Sequence, residues 1–175
     1  MTGEIHDEHP FRGGQRDPVR QLRGRLAAPV TVVTAGDAVA RAGLTVSSLI
    51  TTEGNQGGVH FLVGQTTDLF HQLVVTRRFV VHILEEHHRA LSDVFAGTRP
   101  SPGGVFAGQS VSPSDWGPVL DDVPNRAYCT YLGGEEAGFS FLAAGTVDRV
   151  VIGDLERPLV YFRGGYRTLS DPASP

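Results

Sequence analysis

The stretch Ala42-Gly-Leu-Thr-Val-Ser-Ser-Leu49 governs the reading of the whole chain. With a period of two it places Leu44, Val46 and Ser48 on one side and Thr45, Ser47 and Leu49 on the other. Three uncharged hydroxyls fall within four residues, and no charge occurs from Ala42 to Thr52. Hydroxyls at the end of an apolar strand can bond phosphate, ribityl or ring oxygens without bringing a charge into a pocket. Thr and Ser also simply tolerate a strand that runs into a turn, and the segment alone leaves both readings open.

Working outward, the spacing predicts a hairpin. Residues 30–34 are a β-branched strand, Gly36-Asp37 is a turn, and residues 39–49 are the returning strand. Before the hairpin, Asp17-Pro18 opens a helix with the apolar stripe Val19, Leu22 and Leu26. After it come a polar loop over 54–58 and a strand over 59–63. Thr66-Thr67-Asp68 then caps a helix that runs to about Thr76. A strand over 79–84 and a helix over 86–95 follow, then three strands over 127–132, 139–152 and 159–162. Between them, residues 97–124 are rich in Gly, Pro and Ser and read as a lid, an interface arm or an irregular surface loop.

With six or seven strands, three helices and no strand–helix alternation, the expected class is mainly β: an antiparallel β-barrel with accessory helices. The chain has 175 residues, 22 of them Gly and 11 Pro, enough for one domain built of short elements. That domain is expected over 17–169, between a flexible arm over 1–16 and a tail over 170–175. A net charge of −4 argues against a nucleic-acid partner. No apolar run is long enough for a membrane helix, and the polar N-terminal segment resembles neither a signal peptide nor an anchor. One cysteine, Cys129, fits a reducing cytoplasm and reads as a buried thiol.

Every basic residue is Arg, which excludes a phosphate-loop lysine and Schiff-base chemistry. The run His82-Ile-Leu-Glu-Glu-His87-His88 lacks metal-ligand spacing, so no metal is expected. Nucleophile elbows, phosphate loops and dinucleotide fingerprints are missing too, so no catalytic side chain is assigned. Demanding chemistry in such a chain belongs to a bound cofactor.

Several segments occur in the order of one family. They are Leu26-Ala-Ala-Pro-Val-Thr-Val-Val-Thr34, the opening stretch, Gln65-Thr-Thr67, Arg78-Phe-Val-Val-His-Ile-Leu84, Leu91-Ser-Asp-Val-Phe-Ala96 and Arg157-Pro-Leu-Val-Tyr-Phe-Arg-Gly-Gly-Tyr166. Over roughly residues 17–169 the chain resembles the flavin reductase-like family with the FMN-binding split-barrel fold. The resemblance implies a homodimer that binds FMN or FAD and uses NADH or NADPH to reduce it. It also implies a flavin-dependent monooxygenase as partner. By position it places Thr45, Val46, Ser47 and Ser48 at the flavin, Thr66 and Thr67 at its phosphate end, and the backbone of Phe95-Ala96 alongside. Arg163 and Tyr166 fall on the nicotinamide side.

The chain departs from the family pattern in three places. Asn55-Gln-Gly-Gly58 stands where a Pro-Pro step is usual, and His82 where Asn is common. Glu135-Glu-Ala-Gly-Phe-Ser-Phe141 lacks the Gly-Asp-His step whose His faces the nicotinamide. Two alternatives follow: a flavin- or deazaflavin-binding protein without reductase activity, and a non-catalytic dimeric scaffold subunit.

Overall fold

A computed structural model describes residues 17–169; the expected arm and tail lie outside the described residues. Among the described residues twelve strands form three antiparallel sheets. Strands β2 (Thr31–Gly36) and β3 (Arg41–Val46) form the expected hairpin, and β4 (Ile50–Thr52) follows β3 directly. Together with β5 (Gly58–Val63), β6 (Arg78–Ile83), β9 (Arg126–Ala137) and β10 (Ser140–Val151) they make a seven-stranded sheet of order β3-β2-β6-β9-β10-β5-β4. A smaller sheet joins β1 (Ala28–Pro29), β11 (Leu159–Phe162) and β12 (Gly165–Thr168) in the order β1-β11-β12. The mainly β, antiparallel expectation therefore holds, whereas the strand count exceeds six or seven and the ladder of the large sheet is not closed.

The two edges of that sheet, β3 and β4, are separated in sequence by only Ser47, Ser48 and Leu49. Three residues span at most about 11 Å, so the sheet must curl to bring its edges near one another. A side chain bridges the gap where the backbone ladder does not: the Leu62 N–H donates to Ser48 Oγ at 2.9 Å. The expected single strand over 39–49 is thus cut short at Val46, because the chain turns there from one edge of the sheet to the other.

Strand β2 is buried along its whole length. Its alternation sends Val33 and Ala35 into one core and Val32 into another. The first core lies inside the curled sheet and includes Val46, Phe61, Phe79 and Tyr131, plugged by Leu69 and Leu73 of helix α2 (Asp68–Thr76). Phe61 and Phe79 meet edge-to-face at 5.6 Å. The second core joins Val30, Leu84, Phe106, Leu120 and Leu159 to Phe95 of helix α3 (Arg89–Phe95). Gly43 is required at this contact: a Cβ there would lie 2.5 Å from the Phe95 ring.

Residues 97–124, expected as a lid, an interface arm or an irregular surface loop, are anchored to the rest of the fold. They carry two short strands, β7 (Val111–Ser112) and β8 (Val119–Leu120), and bury Phe106, Val119, Leu120 and Val123. Polar groups pin the segment down. Thr34 Oγ1 donates to the Pro118 carbonyl, and the Leu120 N–H donates to His82 Nε2 at 3.0 Å. With Nε2 accepting, His82 Nδ1 carries the proton and donates to the Val32 carbonyl at 3.1 Å. His88 accepts from the Glu85 N–H at Nδ1 and donates from Nε2 to the Asp122 carbonyl. Burial of His82 lowers its pKa to about 3, and burial lowers that of His88 as well. Both rings are held as neutral connectors.

Helix α1 (Pro18–Arg23) is capped by Asp17 as expected but is shorter, ending at Gly24. Its apolar stripe meets no core: Val19, Leu22 and Leu26 are 70%, 62% and 61% exposed. No helix among the described residues is long and apolar enough to cross a membrane.

Candidate functional site

A cavity of about 500 Å³ opens where the two larger sheets meet α3. Thr45 and Ser47 line it from the end of β3, and Asp93, Ala96 and Thr98 from α3 and the residues after it. Tyr161, Gly164, Gly165 and Tyr166 line it from β11, β12 and their turn, and Arg23 from the end of α1. Its volume falls within the roughly 300–1,000 Å³ typical of small-molecule and cofactor sites.

The structure thus brings together four of the residues assigned from sequence: Thr45, Ser47, Ala96 and Tyr166. They differ in what their polar atoms are free to do. The Thr45 hydroxyl donates to the Ser92 carbonyl at 2.7 Å. Ser47 has no hydrogen-bond partner for its hydroxyl among the described residues and remains free to serve a ligand. Ser48 is held by its bond to Leu62. Val46 is buried in the first core because the alternation turns its side chain away from the cavity, so only its backbone can serve a ligand. Phe95 is 2% exposed and packs edge-to-face on Phe106 at 5.2 Å, which leaves backbone contact as its one route too.

Thr66 and Thr67 do not line this cavity; they stand at the N-terminus of α2. Thr67 is the N-cap, accepting from the Phe70 N–H at 3.2 Å and donating to the Gly64 carbonyl at 2.7 Å. The exposed Thr66 has no such engagement, and the bond from Ser48 to Leu62 ties the end of β3 to the strand leading into this helix. Free N–H groups and the partial positive charge at a helix start suit an anionic group. Arg163 adopts a left-handed φ of 51° in the β11–β12 turn and stacks on Phe162, outside the cavity lining.

Sequence reading missed Arg23, Asp93, Thr98 and Tyr161 in this lining. Asp93 and Tyr161 lay inside quoted family segments, yet nothing in their spacing marks them. The structure links Asp93 to Tyr166, whose hydroxyl donates to Asp93 Oδ1 at 3.0 Å. That donation uses the one phenolic proton, so Ser92 Oγ donates in the second bond, at 2.9 Å. Burial, partly offset by the Ser92 bond, pushes the Tyr166 phenol up to about 12. Tyr161 meets Tyr166 edge-to-face at 5.7 Å, giving the cavity an aromatic side.

Among the described residues no histidine lines the cavity. The segment 135–141 spans the far end of the β9–β10 hairpin, with Phe139 fully exposed at its tip. Among the described residues no group of three or more His, Cys, Asp or Glu side chains could hold a metal. Cys129 is buried, and burial pushes its thiol up to about 12, which makes it inert.

The cavity fits a flat, polar-edged cofactor: aromatic rings on one side, free and bound uncharged hydroxyls on the other, and a helix start beyond. The chain is 30% identical to the NADH:riboflavin 5'-phosphate oxidoreductase of Streptomyces pristinaespiralis, across 100% of this chain and 98% of that protein. It is 28% identical to the reductase component of 4-hydroxyphenylacetate 3-monooxygenase from Thermus thermophilus, across 90% and 99%. The solved flavin reductase PheA2 superposes with a TM-score of 0.78 at 25% identity, covering 87% of this chain and 97% of that one. The profile of the flavin reductase like domain matches residues 23–170, and the chain belongs to that family.

Proposed function

We propose that the protein is a cytoplasmic NAD(P)H-dependent flavin reductase that holds FMN in the cavity between β3 and the β11–β12 sheet. Its product, reduced flavin, would supply a partner monooxygenase. The observation that carries this reading is the cavity itself. The hydroxyls picked out by the family resemblance, Thr45 and Ser47, share it with Tyr166 in a chain matched to the family over 23–170. Flavin supplies the hydride-accepting ring, and the protein supplies position.

Each residue has a definable part. Ser47 offers a free hydroxyl to the ring edge or ribityl chain, and Thr45 is held in place by Ser92. The α2 start with Thr66 receives the phosphate, the one strongly anionic part of FMN, in a chain without lysine. Tyr161 and Tyr166 shield the cavity from water on the other side.

The working form in this reading is a homodimer. Val19 and Leu22 of α1 and Leu26 just after it face solvent, and Val150, Val151 and Ile152 are exposed at the end of β10. Exposed apolar groups of this size suit an interface between copies. Closure of the large sheet into a split barrel, through the Ser47–Leu49 step, belongs to the same reading.

Anaerobic mixing of the purified protein with FMN and NADH or NADPH tests it. The flavin colour should bleach far faster than without protein; equal rates would refute the reductase. That no histidine among the described residues lines the cavity favours one alternative, a flavin-binding protein that does not oxidise NAD(P)H. FMN retained tightly with no bleaching would select that alternative.

A further inference from the structure

A half-buried set of hydrogen bonds runs along the cavity from β3 through α3 to β12. Thr45 on β3 donates to the backbone of Ser92, Ser92 donates to the Tyr166 hydroxyl, and Tyr166 donates to Asp93. Ser92 is fully buried, whereas Thr45, Asp93 and Tyr166 line the cavity. The Tyr166 backbone is tied as well, since its carbonyl accepts from Arg167 Nη1 at 2.7 Å and Arg89 Nη2 at 3.4 Å. A phenol that both donates and accepts within the protein cannot swing to serve as a donor to a ligand. Its ring is fixed, and what it presents to the cavity is an immobile aromatic surface.

Hydride transfer requires two planar rings stacked in register, so a cavity holding one against β3 must offer a second surface for the other. We propose that Asp93 is a positioning residue: by anchoring the Tyr166 hydroxyl, it fixes the Tyr166 ring as the surface against which the nicotinamide of the reductant stacks. This rests on the flavin reductase reading above. The bonds to Ser92 and Asp93 act on one hydroxyl, so removing either end of the Asp93–Tyr166 bond should release the same ring.

The test uses the full chain loaded with FMN. Equilibrium dialysis gives Kd for NAD+, flavin fluorescence gives Kd for FMN, and steady-state turnover gives KM and kcat for NADH. Asp93→Ala and Tyr166→Phe should each weaken NAD+ binding and raise KM for NADH by about tenfold, the loss of one hydrogen bond to a charged group. FMN affinity should stay within about twofold, kcat should change less than KM, and the double variant should match the worse single one. Asp93→Asn keeps an acceptor oxygen and should recover most of the loss.

Unchanged NAD+ binding in Tyr166→Phe, additive losses in the double variant, or an equal loss of FMN affinity would overturn the proposal. Tyr166→Phe removes the bond without altering charge or ring volume, so it decides the matter if Asp93→Ala does not fold. Wild-type protein that binds FMN but oxidises no NADH would instead refute the reductase reading, and this proposal with it.

Discussion

The latch beneath residues 97–124 and the cavity beside Ser47 use the same kinds of polar group to opposite ends. In the latch, His82 is fully buried and both ring nitrogens are bonded, to the Val32 carbonyl and the Leu120 N–H. At the cavity, the Ser47 hydroxyl meets no hydrogen-bond partner among the described residues. A buried polar group with every bond made is architecture, because leaving one unmade would cost about 1–3 kcal/mol. A half-exposed hydroxyl with none made stays hydrated until a ligand replaces the water.

Acid should break the latch first and most strongly. The folded pKa of His82 is about 3 against an ordinary 6.5, so the unfolded chain takes up a proton that the folded chain refuses. Its contribution is complete above pH 6.5 and shrinks as pH falls toward 3, by about 1.4 kcal/mol per pH unit. Urea unfolding should show a loss of about 2 kcal/mol between pH 6.5 and 5 from this group alone, with His88 adding in the same direction. Stability that is flat over this range would show that the latch is not what holds the segment.

Gly43→Ala probes the seam between the two regions. The added methyl meets the buried Phe95 ring, and overpacking of this kind costs about 1–3 kcal/mol. Because α3 carries Ser92, whose carbonyl holds the Thr45 hydroxyl at the cavity, FMN affinity should fall along with stability; a drop in the melting midpoint with unchanged affinity would separate them. Smaller still, Thr67→Ala should lower stability by about 1 kcal/mol through loss of the α2 cap. Chemical denaturation checks it, and an unaltered midpoint would mean that the cap is replaceable.

Much of this was legible in the sequence for a physical reason. β-branched runs and the Asp17 and Thr67 caps are local signals, and the strands and helix starts they predict are present. The alternation over Thr45-Val46-Ser47 also reads correctly, with Val46 in the core and its two neighbours at the cavity. What failed was tertiary. Periodicity detects the stripe Val19, Leu22 and Leu26 but not whether anything covers it. Residues 97–124 have no period, yet they are packed and pinned by bonds such as His82 to Leu120, 38 positions apart. Asp93 and Tyr166 are separated by 73 positions, and no spacing rule joins them.

The most direct measurement of the central claim is FMN titration by flavin fluorescence into wild-type protein and Ser47→Ala. The account predicts saturable quenching at one FMN per chain, weakened about tenfold in Ser47→Ala with no change in melting midpoint. Absence of saturable quenching, or superimposable curves for the two proteins, would contradict it.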